Sequence, residues 1–168
     1  MAPAFFIMKE MNEKQPKPNL KLTPLVEEHD EVVLFCERIR EGLQNGIDDK
    51  RIKAYVDWFK TAYLDPHFEM EQTLVFPILG NTNVRTRRAL ANHRRLDRLF
   101  AKTTDLHKTL HKIEEELTSF IGFEERILYN EIRGLATPEQ WQEIEKGHQD
   151  LEFNDAEWTD RFWEETKN

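Results

Sequence analysis

Residues 65–79 read DPHFEMEQTLVFPIL, and this stretch combines the spacing of an amphipathic helix with polar residues on its apolar side. At about 100° per residue, His67 points in nearly the same direction as Leu74 and Ile78. Glu71 follows His67 by one helical turn on the same face. A histidine and a glutamate with this spacing can bind one metal ion together. We therefore expect this helix to turn metal-ligand side chains towards the core.

The rest of the chain also has helical periodicity, because apolar residues repeat at three- and four-residue steps and only six glycines occur. The pattern predicts helices over about residues 24–42, 49–79, 84–102 and 106–133. A shorter fifth helix is expected after the cap Thr137, with Pro138 in its first position. Short connections predict an all-α, up-and-down antiparallel four-helix bundle with a short additional C-terminal helix. Pro66 inside the second helix predicts a kink or a local change of register.

A chain of 168 residues, 39% of them hydrophobic, suits one globular domain. We expect residues 1–22 to be a flexible lead-in and residues 23–150 to form the bundle with its fifth helix. Residues 151–168 are expected to be a tail that packs loosely on the bundle through Trp158, Phe162 and Trp163.

Composition excludes several classes of function. The formal net charge of -8 argues against nucleic acid or an anionic membrane as the main partner. The single cysteine, Cys36, excludes an intramolecular disulfide framework. The apolar run in MAPAFFIM is too short for a signal peptide, and no segment approaches the roughly 20 apolar residues of a membrane span. These features predict a soluble, cytoplasmic protein and leave its oligomeric state open.

Each of the four long helices places a polar side chain among its apolar residues. Such residues are not chosen for burial alone, and an unpaired buried carboxylate needs a cation, a hydrogen-bond network or a raised pKa. Mixed histidine and carboxylate sets in a bundle interior suit iron, manganese or zinc. The candidate metal ligands are His29, His67, Glu71, His93 and Glu124.

Other polar residues are expected to lie elsewhere. His107 and His111 also have metal-ligand spacing, but both lie about 100° or more from the apolar stripe of their helix and are expected at the surface. Glu125 lies off the same stripe, and residues 114–116 are interpreted as solvated charge. His148 shares a face with apolar residues of the fifth helix, where a hydrogen-bonded packing role is favoured over metal binding.

The motifs around these residues resemble the hemerythrin-like (HHE cation-binding) family. They are LVEEHDEV, DPHFEMEQTLVFPIL, ANHRRLDRLF and FIGFEERILYNEI, spread over about residues 20–150. The resemblance implies a non-haem di-iron centre bridged by Glu71 and Glu124. His29 and His67 would then serve one iron and His93 the other, with an open position for O2 or a related small ligand.

One position departs from the family pattern. The fourth helix of the family reads His-x-x-x-Glu, whereas this chain has Phe120 four residues before Glu124. A phenyl ring has no lone pair to donate, so the second iron lacks a ligand unless Asp97, His148 or water replaces it. We therefore expect either one firmly held metal or an asymmetric pair.

The resulting hypothesis is a hemerythrin-like iron-binding protein that senses, stores or handles iron, O2 or another diatomic, and is not an enzyme. Another divalent metal in place of iron stays open. Two alternatives remain at this point. One is a structural or interaction bundle that has lost its metal, and the other is a di-iron oxidase or peroxidase.

Overall fold

The computed structural model describes the backbone of residues 23–166 and the side chains of residues 29–166, so the lead-in expected over residues 1–22 lies outside the described residues. The fold is all-α, as the sequence predicts, and the described residues contain no strand. None of the helices in this part of the chain is both long and apolar enough to cross a membrane. The five helices are α1 (Thr23–Gln44), α2 (residues 49–78), α3 (Val84–Phe100), α4 (residues 106–135) and α5 (Pro138–Gln149).

Helices α2 and α4 are continuous but not uniform. The segments of α2 are an α-helix (Asp49–Phe59), a π turn (Lys60–Leu64), an α-helix (Asp65–Met70), a second π turn (Glu71–Val75) and a 3₁₀ turn (Phe76–Ile78). The segments of α4 are an α-helix (Leu106–Phe123), a π turn (Glu124–Leu128) and an α-helix (Tyr129–Leu135). Pro66 has no N–H to donate, and the N–H of Asp65 bonds the Lys60 carbonyl five residues back. This confirms the register change predicted at Pro66.

Local sequence signals explain where the helices begin. Asn83 caps α3 by accepting hydrogen bonds from the N–H groups of Arg85 and Thr86, at 2.8 and 3.3 Å. Thr137 and Gln140 form a capping box at the start of α5, with Pro138 in its first turn. Gly80, with φ of +83°, makes the turn between α2 and α3 in a conformation that other residues rarely adopt.

The core lies between the four long helices. Helix α4 packs against α1, α2 and α3, and α1 also contacts α2, while α5 packs against α1 and the second half of α2. Buried apolar residues face each other across these contacts, so each helix removes its apolar stripe from water. The up-and-down order of the four helices stays a prediction.

The C-terminal segment packs more tightly than the sequence suggested. Phe162 is fully buried in the core, with its ring against Gly42, where an added methyl carbon would lie 2.8 Å from the ring. Asp155 accepts two hydrogen bonds from the buried guanidinium of Arg38, at 2.6 and 3.0 Å. The expectation of loose packing is therefore wrong for this segment, because an aromatic ring and a bidentate ion pair hold it on α1.

Candidate metal centre

Five inward-facing polar side chains meet inside the bundle. Helix α1 supplies His29, α2 supplies His67 and Glu71, α3 supplies His93, and α4 supplies Glu124. Each of these residues is at most 2% exposed. Burial of so many ionisable groups is costly unless they are paired or bind a cation.

Four of these residues form a compact cluster. One nitrogen or oxygen atom from each of His29, His67, Glu71 and Glu124 lies within 4.8 Å of the others. His67 Nε2 lies 3.0 Å from Glu71 Oε1, and His29 Nε2 lies 3.6 Å from Glu124 Oε1. Two imidazoles and two carboxylates offer the nitrogen and oxygen donors that iron, manganese and zinc accept.

A tyrosine hydroxyl also lies in this cluster. Tyr129 is fully buried, and its hydroxyl donates to Glu71 Oε1 at 2.8 Å. The same hydroxyl oxygen lies 3.3 Å from Glu124 Oε2 and 3.3 Å from His29 Nε2. Tyr129 therefore contacts three of the four clustered side chains.

The π turns determine which side chains share a face. A π turn closes with an i→i+5 hydrogen bond, so the residue five positions on returns to the same face. The N–H of Tyr129 bonds the carbonyl of Glu124, and the N–H of Phe76 bonds that of Glu71. Glu71 and Glu124 are thus each the first residue of a π turn. The turn that begins at Glu124 brings the Tyr129 side chain next to the Glu124 carboxylate.

Glu125 orients the imidazole of His29. His29 Nδ1 donates to Glu125 Oε1 at 3.0 Å, because a carboxylate can only accept. Burial, followed by the charge of His67, lowers the pKa of His29 and favours its neutral form. With the proton on Nδ1, Nε2 presents a lone pair to the cluster. Histidine metal ligands generally have this type of hydrogen-bonded partner on their second nitrogen.

His93 lies at the edge of the cluster in an apolar setting. Its Nε2 is 3.2 Å from Glu71 Oε2, and its Nδ1 is 2.8 Å from Gln72 Nε2. The Phe68 ring stacks on it with centroids 3.9 Å apart, and the Phe120 ring meets it edge to face at 5.1 Å. Among the described residues, Glu71 is thus the one acidic side chain paired with His93.

The residues considered as replacement ligands do not join the cluster. Asp97 is exposed and lies 3.6 Å from Lys60, so its carboxylate faces outwards from α3. His148 is half-buried and lines a surface pocket with Tyr63 and Phe153. His107 is exposed, as expected, and pairs with Asp49 at 3.1 Å.

One acidic residue was placed wrongly by the sequence reasoning. Glu114 is buried rather than solvated, because the Arg40 guanidinium lies over it, with Nε 3.3 Å from Glu114 Oε2. This ion pair links α1 to α4 away from the cluster.

Unsatisfied polar atoms concentrate at the cluster. Within the described part of the chain, five buried side-chain atoms lack a hydrogen-bond partner, and three are Glu71 Oε2, His93 Nε2 and Glu124 Oε1. His93 Nε2 and Glu71 Oε2 are close, but the geometry of a hydrogen bond is not met. Such atoms are rare in native proteins and call for an explanation. Glu71 and Glu124 belong to the four-residue cluster, where a bound cation would give their carboxylates a partner, so this donor set fits a metal.

Without a metal, the pKa values of the buried carboxyl groups of Glu71 and Glu124 shift in opposite directions. Burial, followed by the charge of Glu71, raises the pKa of Glu124 well above its usual range. Burial acts in the same direction on Glu71, but the charge and hydrogen bonds of His67 outweigh it and hold that pKa well below its usual range. The two carboxyl groups therefore differ in how readily they ionise, since two like charges in a buried site repel each other.

Sequence reasoning missed Tyr129 and Glu125. At about 100° per residue, Tyr129 would lie about 140° from Glu124, on a different face of an ideal α-helix. Glu125 lies off the apolar stripe and is partly exposed, yet it reaches His29 on the neighbouring helix. The sequence offered no signal for the π turn that repositions Tyr129.

Comparison with protein families gives a match. The hemerythrin HHE cation-binding domain matches residues 21–104, which is half of the chain and includes His29, His67, Glu71 and His93. Glu124, Tyr129 and Phe120 lie outside the matched residues. A search of the curated proteins and a search of the solved structures found no match.

Proposed function

Because the chain belongs to the hemerythrin HHE cation-binding domain family, we propose that it is a non-haem iron-binding protein that senses, stores or handles iron, O2 or another diatomic. Its first metal site comprises His29, His67, Glu71 and Glu124. Its second site, at His93, is weakened by Phe120. The protein acts as a binding module and not as an enzyme.

The convergence of two histidines and two glutamates supports this proposal. Their ligand atoms lie within 4.8 Å of one another in a site where each side chain is at most 1% exposed. A core without metal would gain more from apolar side chains of similar volume, because pairing buried charges barely repays their desolvation. The unsatisfied Oε1 of Glu124 supports the same conclusion.

The chain's own residues prepare this site. Glu125 holds the His29 ring with its Nε2 lone pair directed into the cluster. The rings of Phe68 and Phe120 cover the His93 imidazole and exclude water from it. A bound iron supplies a Lewis-acidic, redox-active position for a small ligand.

Burial of the site favours small ligands over large substrates. A diatomic molecule can enter a bundle through transient side-chain motion, whereas an organic substrate needs an open pocket beside the metal. The pocket that His148 lines reaches Tyr63, whose ring stacks on His67, but none of the four clustered residues lines it. This arrangement supports binding or sensing over oxidation of a bulky substrate.

Metal stoichiometry tests the proposal. Protein purified without a histidine tag is stripped of metal and titrated with Fe(II) in the absence of oxygen. We expect about one tightly bound iron per chain, since one complete histidine and carboxylate set is present. His67→Ala should abolish tight binding, whereas the control His107→Ala should retain it, because His107 is exposed and outside the cluster.

Two outcomes would contradict the proposal. Less than about 0.1 iron per chain at saturation would favour a metal-free structural bundle, since a built site binds its metal stoichiometrically. Two irons bound with similar, tight affinity would show that Phe120 does not weaken the second site.

A further inference from the structure

We infer that Tyr129 is itself a metal ligand, its phenol oxygen completing the site formed by His29, His67, Glu71 and Glu124. This inference rests on the proposed function and extends it. It assigns the metal centre a phenolate, which the histidine and carboxylate set of the sequence analysis does not contain.

Counting protons around the Tyr129 hydroxyl supports this assignment. The hydroxyl has one proton, but its oxygen lies within 3.3 Å of Glu71 Oε1, Glu124 Oε2 and His29 Nε2. His29 Nε2 presents a lone pair because Nδ1 donates to Glu125. His67 Nε2, 3.0 Å from Glu71 Oε1, can donate to that oxygen, whereas Glu124 Oε2 and His29 Nε2 both face the one hydroxyl proton of Tyr129. A cation at their centre attracts all four lone pairs at once.

The spacing of the atoms is that of neighbouring ligands. Donors bound at 2.0–2.2 Å and at right angles around one ion lie about 3 Å apart. Tyr129 oxygen lies 2.8 Å from Glu71 Oε1, and His67 Nε2 lies 3.0 Å from the same oxygen. The tyrosine oxygen lies 3.3 Å from Glu124 Oε2 and 3.3 Å from His29 Nε2. Both distances are shorter than the 3.6 Å between His29 Nε2 and Glu124 Oε1.

The backbone of α4 provides an independent observation. Tyr129 reaches the cluster only because the Glu124–Leu128 segment is a π turn. Such turns interrupt regular α-helical hydrogen bonding and occur frequently at functional sites. No proline follows within this segment to explain the turn, in contrast to the turn before Pro66.

A phenolate ligand has a chemical consequence for the metal. If ferric iron binds there, an O–Fe(III) bond would replace the O–H bond of Tyr129 and the phenol proton would be released to the solvent, with no change in the oxidation state of the iron. An anionic oxygen donor favours Fe(III) over Fe(II), because a hard ligand stabilises the higher charge. The site is thus suited to holding ferric iron rather than to reversible O2 binding, which requires ferrous iron.

Visible and resonance Raman spectra test this assignment. Full-length protein is loaded with Fe(II) without oxygen and oxidised with one equivalent of ferricyanide. Wild-type protein should show a visible phenolate-to-Fe(III) charge-transfer band, and excitation into it should enhance tyrosinate ring vibrations. Tyr129→Phe, which keeps the ring, should lose both. The control Tyr55→Phe should keep both, since the Tyr55 hydroxyl bonds Arg38 instead.

The outcomes separate this inference from the proposed function. Iron bound stoichiometrically without a tyrosinate signal would overturn the Tyr129 assignment and leave the iron-binding proposal intact. A signal that persists in Tyr129→Phe would assign the phenolate to another of the three tyrosines and also overturn it. Failure of wild-type protein to bind iron would overturn both.

Discussion

Phe120 occupies the position on α4 from which a side chain can reach His93. Its ring is buried with its centroid 5.1 Å from that of the imidazole, and the Phe68 ring stacks on one face of the same imidazole at 3.9 Å. His93 therefore has the carboxylate of Glu71 beside it. Among the described residues, no second histidine lies next to it to bind the same metal ion. Under the proposed function, this one aromatic residue would be sufficient to leave the second site incomplete, because the other candidate ligands are already in place.

Replacing Phe120 by histidine should restore the missing donor. The new imidazole would lie beside His93 and Glu71, so we expect bound iron to rise from about one to about two per chain. The measurement is iron content after anaerobic loading and removal of free metal. Phe123→His is the matched control, since Phe123 is also buried on α4 but stacks with Arg88. An unchanged stoichiometry in Phe120→His would show that another feature limits the second site.

The inward placement of the candidate ligands was predictable from the sequence for one physical reason. His29, His67, His93 and Glu124 lie on apolar stripes, and helical periodicity identifies a polar residue on such a stripe without knowledge of its neighbours. Glu125 was not identified, because its contact with His29 depends on how α1 and α4 pack. Tertiary contacts of partly exposed residues leave no periodic signal.

At the scale of the helices, π turns determine which residues meet. The turn over Lys60–Leu64 also puts residues five apart on one face, since Lys60 Nζ lies 2.7 Å from Asp65 Oδ1. Pro66 made that turn predictable, and Pro77 follows the Glu71–Val75 turn at the same distance, whereas no proline follows the turn that begins at Glu124. Helix starts were predicted well, because capping residues such as Thr137 act locally.

Local sequence patterns did not predict how the C-terminal segment packs on the bundle. Its 3₁₀ turns, Asp155–Glu157 and Phe162–Glu164, have no long amphipathic pattern, so the sequence suggested a loose tail. The partners of this segment include Gly42 and Arg38 on α1 and Arg51 on α2, all more than a hundred residues away. Only the fold brings them together.

Truncating Phe162 should therefore destabilise the whole bundle. Removing a fully buried phenyl ring costs about 3–5 kcal/mol, and Phe162→Ala should lower the free energy of unfolding by that amount. Urea denaturation followed by circular dichroism measures the change. Leu135→Ala serves as control, because Leu135 is 58% exposed and its loss should change stability by less than about 0.5 kcal/mol. Equal, small effects of both substitutions would mean that the segment is not part of the core.

In the molecule as a whole, the buried ionisable side chains of the candidate metal centre lie where all four long helices meet. The buried carboxyl group of Glu124 costs the metal-free fold stability at neutral pH, because burial raises its pKa, and a cation bound between the helices would offset that cost. Under the proposed function, metal binding would therefore be coupled to the stability of the whole bundle, because the candidate ligands come from different helices.

Metal should accordingly raise the melting temperature, and Glu124→Gln should separate this effect from simple loss of packing. At a free metal concentration 100-fold above Kd, binding adds about 2.7 kcal/mol of stability, which corresponds to about 5–10 °C for a chain of this size. Anaerobic thermal melts with Fe(II) measure the shift, and Mg²⁺, which prefers all-oxygen sites, should cause none.

Glutamine at position 124 resembles the neutral carboxyl group that burial favours there, so the metal-free variant should melt at the wild-type temperature or above. Its loss of a carboxylate ligand should remove most of the Fe(II)-dependent shift. If Fe(II) stabilises Glu124→Gln as much as wild type, or if Mg²⁺ acts as Fe(II) does, then metal does not bind between the helices at Glu124. The buried pair would then be held by its hydrogen bonds alone.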